Sequence, residues 1–210
     1  MARVHRVQRS NKEHTCGHSP THVIPKGDPY LWAKPGFRTR TPKVRCVEHP
    51  FRPSELATGL NAEPMAAQED FNATLGTLEA HDYDGLTAAV DEFREALEAY
   101  RDARQEALDA WENGNSQFEE WLEEAEEALS ALENLEVEEW DEEEPLNETT
   151  EPEPDAADFE EESDYDAAVE RWQEAQDDAE SEWDDWNSRR DQHWDDQISE
   201  ASEASASVSL

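Results

Sequence analysis

The chain has little apolar material and no long apolar run. Hydrophobic residues make up 35% of its 210 residues, and its mean hydropathy is -1.05. This supply suffices for one small domain with a set of helices, but hardly for the core of a large enzyme. No apolar stretch follows the basic amino terminus, so the sequence predicts neither a signal peptide nor a membrane span. We therefore expect an intracellular protein that is not secreted.

Lysine is scarce and unevenly placed, because every basic residue after Lys43 is arginine. Residues 1–60, called the head below, hold 11 Lys and Arg against 4 Asp and Glu, a net charge of +7. Residues 61–210 hold 6 against 51, a net charge of -45. The head suits a polyanion such as nucleic acid, which the remainder would repel. The excess of carboxylates favours a high-salt cytoplasm that screens self-repulsion, with a dedicated acidic binding surface as the alternative.

Motifs of common catalytic sites are missing. The sequence has no Gly-rich phosphate loop, no Gly-x-Ser-x-Gly, no His-Glu-x-x-His and no Cys/His nucleophile arrangement. Carboxylates are so frequent that no pair stands out as general acid and base. We therefore predict that the protein is not an enzyme and has no small-molecule substrate.

There are only two cysteines, and each has histidines nearby. Two pairs of sulfur and nitrogen ligands, with a hairpin-sized insert between them, are typical of a tetrahedral Zn²⁺ site in a domain with little core. The second pair, Cys46 and His49, has conventional spacing, whereas Glu13 occupies the place where a first knuckle ligand is expected. The predicted ligands are Cys16, His18, Cys46 and His49, with His14 as the substitute for His18 and His22 as the third choice.

Between the ligand pairs the sequence predicts a hairpin. A turn at residues 26–29 leads into a short aromatic strand, and a second strand ends at Cys46. The order of knuckle, hairpin and second ligand pair predicts a treble clef or a related zinc ribbon. The alternatives are a metal-free hairpin stabilised by Tyr30, Trp32 and Phe37, or a Cys16–Cys46 disulfide.

Basic residues are interleaved with these aromatics. Cations of this kind neutralise phosphates, and exposed aromatic rings stack on bases. The aromatics equally suit the core of so small a domain, so the prediction of nucleic-acid binding depends on the basic residues alone. The candidate contacts are Lys26, Lys34, Arg38, Arg40, Lys43 and Arg45.

Four short motifs follow one another along residues 5–60. They are Cys16-Gly17, Ile24-Pro25-Lys26-Gly27-Asp28-Pro29-Tyr30-Leu31-Trp32, Arg45-Cys46 and Pro53-Ser54-Glu55-Leu56-Ala57-Thr58. In these motifs the head resembles small tailed-virus proteins with a poly(ADP-ribose)-polymerase-type zinc finger, apart from the missing first cysteine of the knuckle. The resemblance implies a viral protein that binds zinc and DNA in the cytoplasm of its host.

The acidic remainder predicts helices. Within residues 61–140, apolar positions recur by threes and fours from Leu86 to Trp111, interrupted by Arg104, and again from Phe118 to Leu132. Because the gap between these coiled-coil-like stripes is short, an antiparallel helical hairpin is expected. Residues 141–162 combine proline with acidic residues and predict an extended linker.

A third helix is expected over residues 163–198. Its tryptophan-rich face, which also includes Gln176 and Arg190, either completes a three-helix bundle or stays free for a partner. Residues 199–210, rich in Ser, Ala and Glu, predict a disordered tail. The fold class is thus a small zinc-stabilised β head followed by mainly α structure.

Two functions are compatible with this organisation. The first is a zinc-binding, nucleic-acid-binding accessory protein of viral type from a high-salt host, whose acidic helices self-associate or recruit a protein. The alternative is an acidic protein-interaction factor, either a nucleic-acid mimic or a virion assembly protein, with a purely structural zinc head.

Overall fold

The computed structural model describes residues 2–35, 41–111 and 116–210. A small antiparallel β region precedes mainly helical structure, as the sequence predicts. The chain divides into two compact units. The first unit comprises Met1–Leu78, Asp84–Glu136 and Glu200–Leu210, and the second comprises Glu79–Tyr83 and Val137–Ser199. The head therefore shares a unit with most of the helical region 61–140.

Five short strands build the head. They are β1 (Val4–Val7), β2 (His14–Thr15), β3 (Val23–Ile24), β4 (Tyr30–Ala33) and β5 (Lys43–Cys46). Strands β1, β4 and β5 form an antiparallel sheet in that order, and β2 pairs with β3 as a separate hairpin. His5, Trp32 and Val44 pair across the sheet and share one face. Ala33 and Arg45 alternate to the other face, where both are buried.

The turn between β3 and β4 lies where the sequence predicts one. The backbone N–H of Asp28 donates to the Pro25 carbonyl at 3.2 Å. Gly27 takes a φ of 104°, a conformation that side chains with a Cβ rarely adopt. The turn is also tied to the loop after β1, because the Gly27 N–H donates to the Ser10 carbonyl at 2.9 Å.

Five α-helices follow within the described residues. They are α1 (Pro53–Leu56), α2 (Ala62–Leu75), α3 (Tyr83–Asp109), α4 (Ser116–Glu133) and α5 (Glu162–Ser207). Single 3-10 turns lie at Gly59–Asn61 and Ala156–Asp158. Both predicted apolar stripes are buried along most of their length. The buried stripe residues are Leu86, Val90, Phe93, Leu97, Tyr100, Ala125, Leu129 and Leu132.

Helices α3 and α4 pack in antiparallel order. At the end of the helix pair away from the α3–α4 connection, Arg94 donates to the carbonyls of Leu132 and Leu135 at 3.3 and 3.1 Å. Closer to the connection, the Arg104 guanidinium lies 4.9 Å from the centre of the Trp121 ring. Residue numbers thus rise along α3 as they fall along α4. The tip at residues 113–115, where the sequence places the turn, lies outside the described residues.

In the second unit the predicted linker runs along α5. Its backbone has no regular structure apart from the 3-10 turn, and polar side chains of α5 bind its main chain. Trp172, Trp186 and His193 contact the carbonyls of Glu151, Glu142 and Glu138 at 3.0, 3.3 and 2.7 Å. Gln176 accepts from the Thr149 N–H at 3.1 Å and donates to the Asn147 carbonyl at 3.3 Å. Segment 138–151 therefore covers the tryptophan-rich face.

The prediction that residues 199–210 form a disordered tail is wrong for most of this segment. Helix α5 continues to Ser207, and Ala201, Ser205 and Val208 are buried in the first unit. Gln68 of α2 donates from its side-chain amide to the carbonyls of Ser205 and Val208 at 2.7 and 3.2 Å. The alanines and serines of this segment are small enough to pack closely, so their low hydrophobicity does not prevent burial.

Replacing Gln68 tests this docking. We expect Gln68→Ala to loosen the end of α5 by about 1–2 kcal/mol, because two carbonyls lose their donor. Hydrogen exchange at the amides of residues 200–208 should accelerate about tenfold. Gln192→Ala is the matched control, since Gln192 is exposed and bonds Asp196 of its own helix. Exchange at random-coil rates in the wild type would contradict the docking.

Candidate metal centre

Four side chains of the head converge on one point. The ligand atoms of Cys16, His22, Cys46 and His49 all lie within 4.8 Å of one another. The Cys46 Sγ is 3.0 Å from His49 Nδ1 and 3.8 Å from His22 Nδ1. Two sulfurs and two imidazole nitrogens in such a cluster could hold a metal ion.

The sequence favours His18 for the second imidazole of the cluster and ranks His22 third among the candidates. In the structure, His22 contributes that imidazole. The reason is the register of the β2–β3 hairpin, which pairs His14 with Ile24 and Thr15 with Val23. The next pair in this register joins Cys16 to His22, and the Cys16 N–H donates to the His22 carbonyl at 2.8 Å. Cross-strand neighbours share a face, so both side chains reach the same cluster. The prediction of His18 is corrected to His22.

The other two candidate histidines lie beside the cluster. His18 is exposed, and its ring stacks on the cluster residue His49 with 4.3 Å between centroids and an interplanar angle of 10°. His14 belongs to β2 and tilts over Tyr30 at 4.6 Å. Side chains alternate between the two faces of a strand, so His14 and Cys16 share a face. His14 precedes Cys16 by two residues and therefore lies beside the cluster.

The second ligand pair forms a tight turn at the end of β5. The His49 N–H donates to the Cys46 Sγ at 3.3 Å, and the Cys46 N–H donates to the Cys16 Sγ at 3.4 Å. Burial alone would raise the pKa of Cys16. The Cys46 and His18 backbone N–H groups, the Cys46 side chain and the charge of Arg45 outweigh burial and lower that pKa. The site is thus arranged to favour thiolate, the form that binds metals.

The cysteines are also the core of the head. Cys16 and Cys46 form a buried cluster with Ile24, against which Tyr30 and Val44 pack. Gly17 draws the first ligand loop onto β5, because its N–H donates to the Val44 carbonyl at 2.7 Å. A Cβ at position 17 would lie 3.1 Å from that carbonyl oxygen, so glycine permits the approach.

The donor set fits a zinc-type ion. Zinc binds Cys at about 2.3 Å and His at about 2.0–2.1 Å, so the corners of its tetrahedron lie roughly 3.3–3.8 Å apart. The four ligand atoms, all within 4.8 Å of one another, reach that spacing with small side-chain movements. Both cysteines are free thiols, so the alternative of a Cys16–Cys46 disulfide is not formed.

The predicted nucleic-acid contacts differ in exposure and in their partners. Lys26, Lys34 and Lys43 are exposed, and none of them forms an ion pair in the part of the chain that the structure describes. Arg45 is a correction, because it is buried, pairs with Glu55 and lies over the Phe51 ring at 5.8 Å. The remaining two, Arg38 and Arg40, lie outside the described residues, as does Phe37.

A shallow groove of about 310 Å³ lies on the face of the sheet that carries Trp32. Trp32 stacks on His5 with 4.2 Å between ring centroids. The buried His14 Nε2 has no hydrogen-bond partner among the described residues. The groove is lined by His14, Tyr30, Trp32, Lys34, Pro42 and Val44.

Comparison of the chain with protein-family models, with curated proteins and with solved structures finds no match. Among the helices of the described residues, none combines the length and apolar content needed to cross a membrane.

Replacing single histidines tests the ligand assignment. We expect His22→Ala to weaken Co²⁺ binding by about two orders of magnitude or more, because it removes one of four ligands. His18→Ala should change the affinity by less than about tenfold, since His18 stacks on a ligand without being one. Cobalt absorption in a titration reports both. The reverse ranking would restore His18 as the ligand.

The Arg45–Glu55 pair predicts a pH-dependent stability. Burial alone would raise the pKa of Glu55, but bonds from the Arg52 N–H and Arg45, with the charges of Arg45 and Lys43, lower it. The ionised form therefore stabilises the head above the ordinary glutamate pKa of about 4.3, and this contribution is lost as pH falls through the lowered pKa.

We expect Glu55→Gln to cost about 2–3 kcal/mol at neutral pH, because it leaves Arg45 buried without its partner. The difference from wild type should shrink in acid. Denaturant unfolding of the metal-loaded protein at several pH values measures it. Glu13→Gln, at an exposed carboxylate of the head, is the control. A cost that is independent of pH would contradict the ion-pair explanation.

Proposed function

We propose that the head is a zinc module of the treble-clef or ribbon type and that it binds nucleic acid. The observation that carries this proposal is the groove of Trp32, Tyr30 and His14 with Lys34 at its edge. A partly exposed aromatic wall beside a free cation is the combination with which proteins hold unpaired bases and their phosphates.

Zinc is supported by the chemistry of the cluster. Two thiols and two imidazoles suit its tetrahedral, borderline-soft preference. The ion would stabilise the structure of the head without acting in a reaction, because protein ligands would occupy all four positions and leave none for substrate. We accordingly propose that the protein is not an enzyme.

The distribution of free cations supports an interface on the head. Arg45 pairs with Glu55, and Arg52 pairs with Glu69 and Asp70 of α2 at 2.6 Å each. These arginines are occupied within the protein, whereas the three described lysines of the candidate set are exposed. A phosphate backbone would therefore meet these lysines and the exposed Arg3, Arg6 and Arg9, and contacts of this kind give modest affinity with strong salt dependence.

The acidic helices supply the second part of the proposal. Their carboxylates would repel nucleic acid, which leaves self-association or a basic protein partner as their role. An acidic interaction protein with a purely structural head is the alternative, and it predicts no nucleic-acid binding at any salt concentration.

Anisotropy titration of the full metal-loaded chain with labelled 20-mer DNA, single-stranded and duplex, tests the proposal. We expect binding that weakens steeply with salt. Lys34→Gln should weaken it several-fold and reduce the salt slope by about one, because one phosphate contact is lost.

Lys26→Gln is the charge-matched comparison, since Lys26 is exposed in the β3–β4 turn and does not line the groove. Equal losses in both variants would mean that only the net charge matters and that the groove is not the site. No binding by the wild type down to low salt would favour the acidic interaction protein instead.

A further inference from the structure

A second cavity lies in the first unit, away from the metal centre. Its volume is about 580 Å³, and it lies between the chain leaving the head, α2, α3, α4 and the end of the described chain. Apolar surface comes from Leu60, Met65, Trp121 and Leu210, and one charged side chain, Arg104, reaches the cavity. Nothing in the proposed function uses it.

Arg104 is held there by neutral groups. The residue is only 7% exposed. Its Nη2 donates to the Tyr100 hydroxyl at 3.0 Å and to the Asn61 side-chain oxygen. Its guanidinium carbon lies 5.0 Å from the centre of the Tyr100 ring and 4.9 Å from that of Trp121. Two aromatic rings and two neutral acceptors therefore fix the cation in place.

No Asp or Glu side chain of the described residues pairs with this charge. Among the described residues Arg104 forms no ion pair, and no Asp or Glu lines the cavity. The buried Nε has no hydrogen-bond partner among the described residues. A buried donor and charge left unpaired destabilise a fold unless something else binds them.

We propose that this cavity binds an organic carboxylate with an apolar body, whose charged end is held by the guanidinium of Arg104. A single guanidinium matches a single negative charge, and a dianion would add surplus charge to a strongly acidic region. The side chains of Met65, Leu60 and Trp121 offer apolar contact for the rest of the ligand. A bare halide would leave that surface unused.

The net charge of -38 opposes the approach of any anion at low ionic strength. At about 1 M salt the screening length falls to about 3 Å, so the contact at Arg104 persists while long-range repulsion does not. The site is therefore suited to the high-salt conditions that the composition predicts.

A matched pair of ligands separates charge from apolar contact. We would titrate the full chain at 1 M KCl with 4-phenylbutyrate and with the neutral 4-phenylbutanol, following the ¹⁵N–H resonance of the Arg104 Nε. We expect the carboxylate to bind at least about tenfold more tightly, because a charge-assisted hydrogen bond forms in a buried site. The Nε resonance should shift with the carboxylate and not with the alcohol.

Variants provide the second measurement. Arg104→Gln should bring the two ligands to equal affinity, and Arg101→Gln, which removes a partly exposed arginine one turn away, should leave the difference unchanged. If Arg104→Gln does not fold, the wild-type resonance still decides. Equal binding of acid and alcohol, no binding of either, or a shift with chloride alone would each overturn the proposal.

Discussion

The head depends on the convergence of Cys16, His22, Cys46 and His49, because this group is both the candidate metal site and the centre of its small core. Apart from these side chains, one backbone hydrogen bond in the described residues joins the β2–β3 hairpin to β5, from the Gly17 N–H to the Val44 carbonyl. Mutual packing of one isoleucine and two thiols buries little area, and in domains of this size metal binding commonly supplies the missing stability. The arrangement of the sheet face, and with it the groove beside Trp32, follows from that closure.

The basic residues of the head differ in whether a carboxylate pairs with them. The two described arginines at the end of the head face inward or toward α2, where Glu55, Glu69 and Asp70 neutralise them. The lysines face solvent. Arginine suits the first role because its planar fork holds carboxylates in fixed geometry, whereas lysine remains a hydrated point charge. Carboxylates therefore occupy Arg45 and Arg52, while the lysines and the exposed Arg3, Arg6 and Arg9 keep the surface of the head basic.

The parts of the structure that depend on local periodicity could be predicted from the sequence. The stripes of α3 and α4 are buried at Phe93, Leu97 and Leu132 because spacing by threes and fours alone determines one face of a helix. The identity of the fourth ligand could not be predicted from spacing, since His22 reaches the site through the hairpin register. The burial of Arg45 depends on a carboxylate ten residues away, and that of Ala201 and Ser205 on packing in the first unit; neither leaves a periodic pattern in the sequence.

The second unit shows how an acidic chain can pack without a large apolar core. The face of α5 is covered by segment 138–151 through indole, amide and imidazole groups that bind the main chain. Main-chain carbonyls supply most of these acceptors, and the carboxylates of Glu144 and Glu142 add contacts to Trp183 and Arg189 of α5. The tryptophans of α5 are thereby largely occupied within the unit. A partner of the acidic region would then meet carboxylates before aromatics, which favours a basic protein surface over an apolar one.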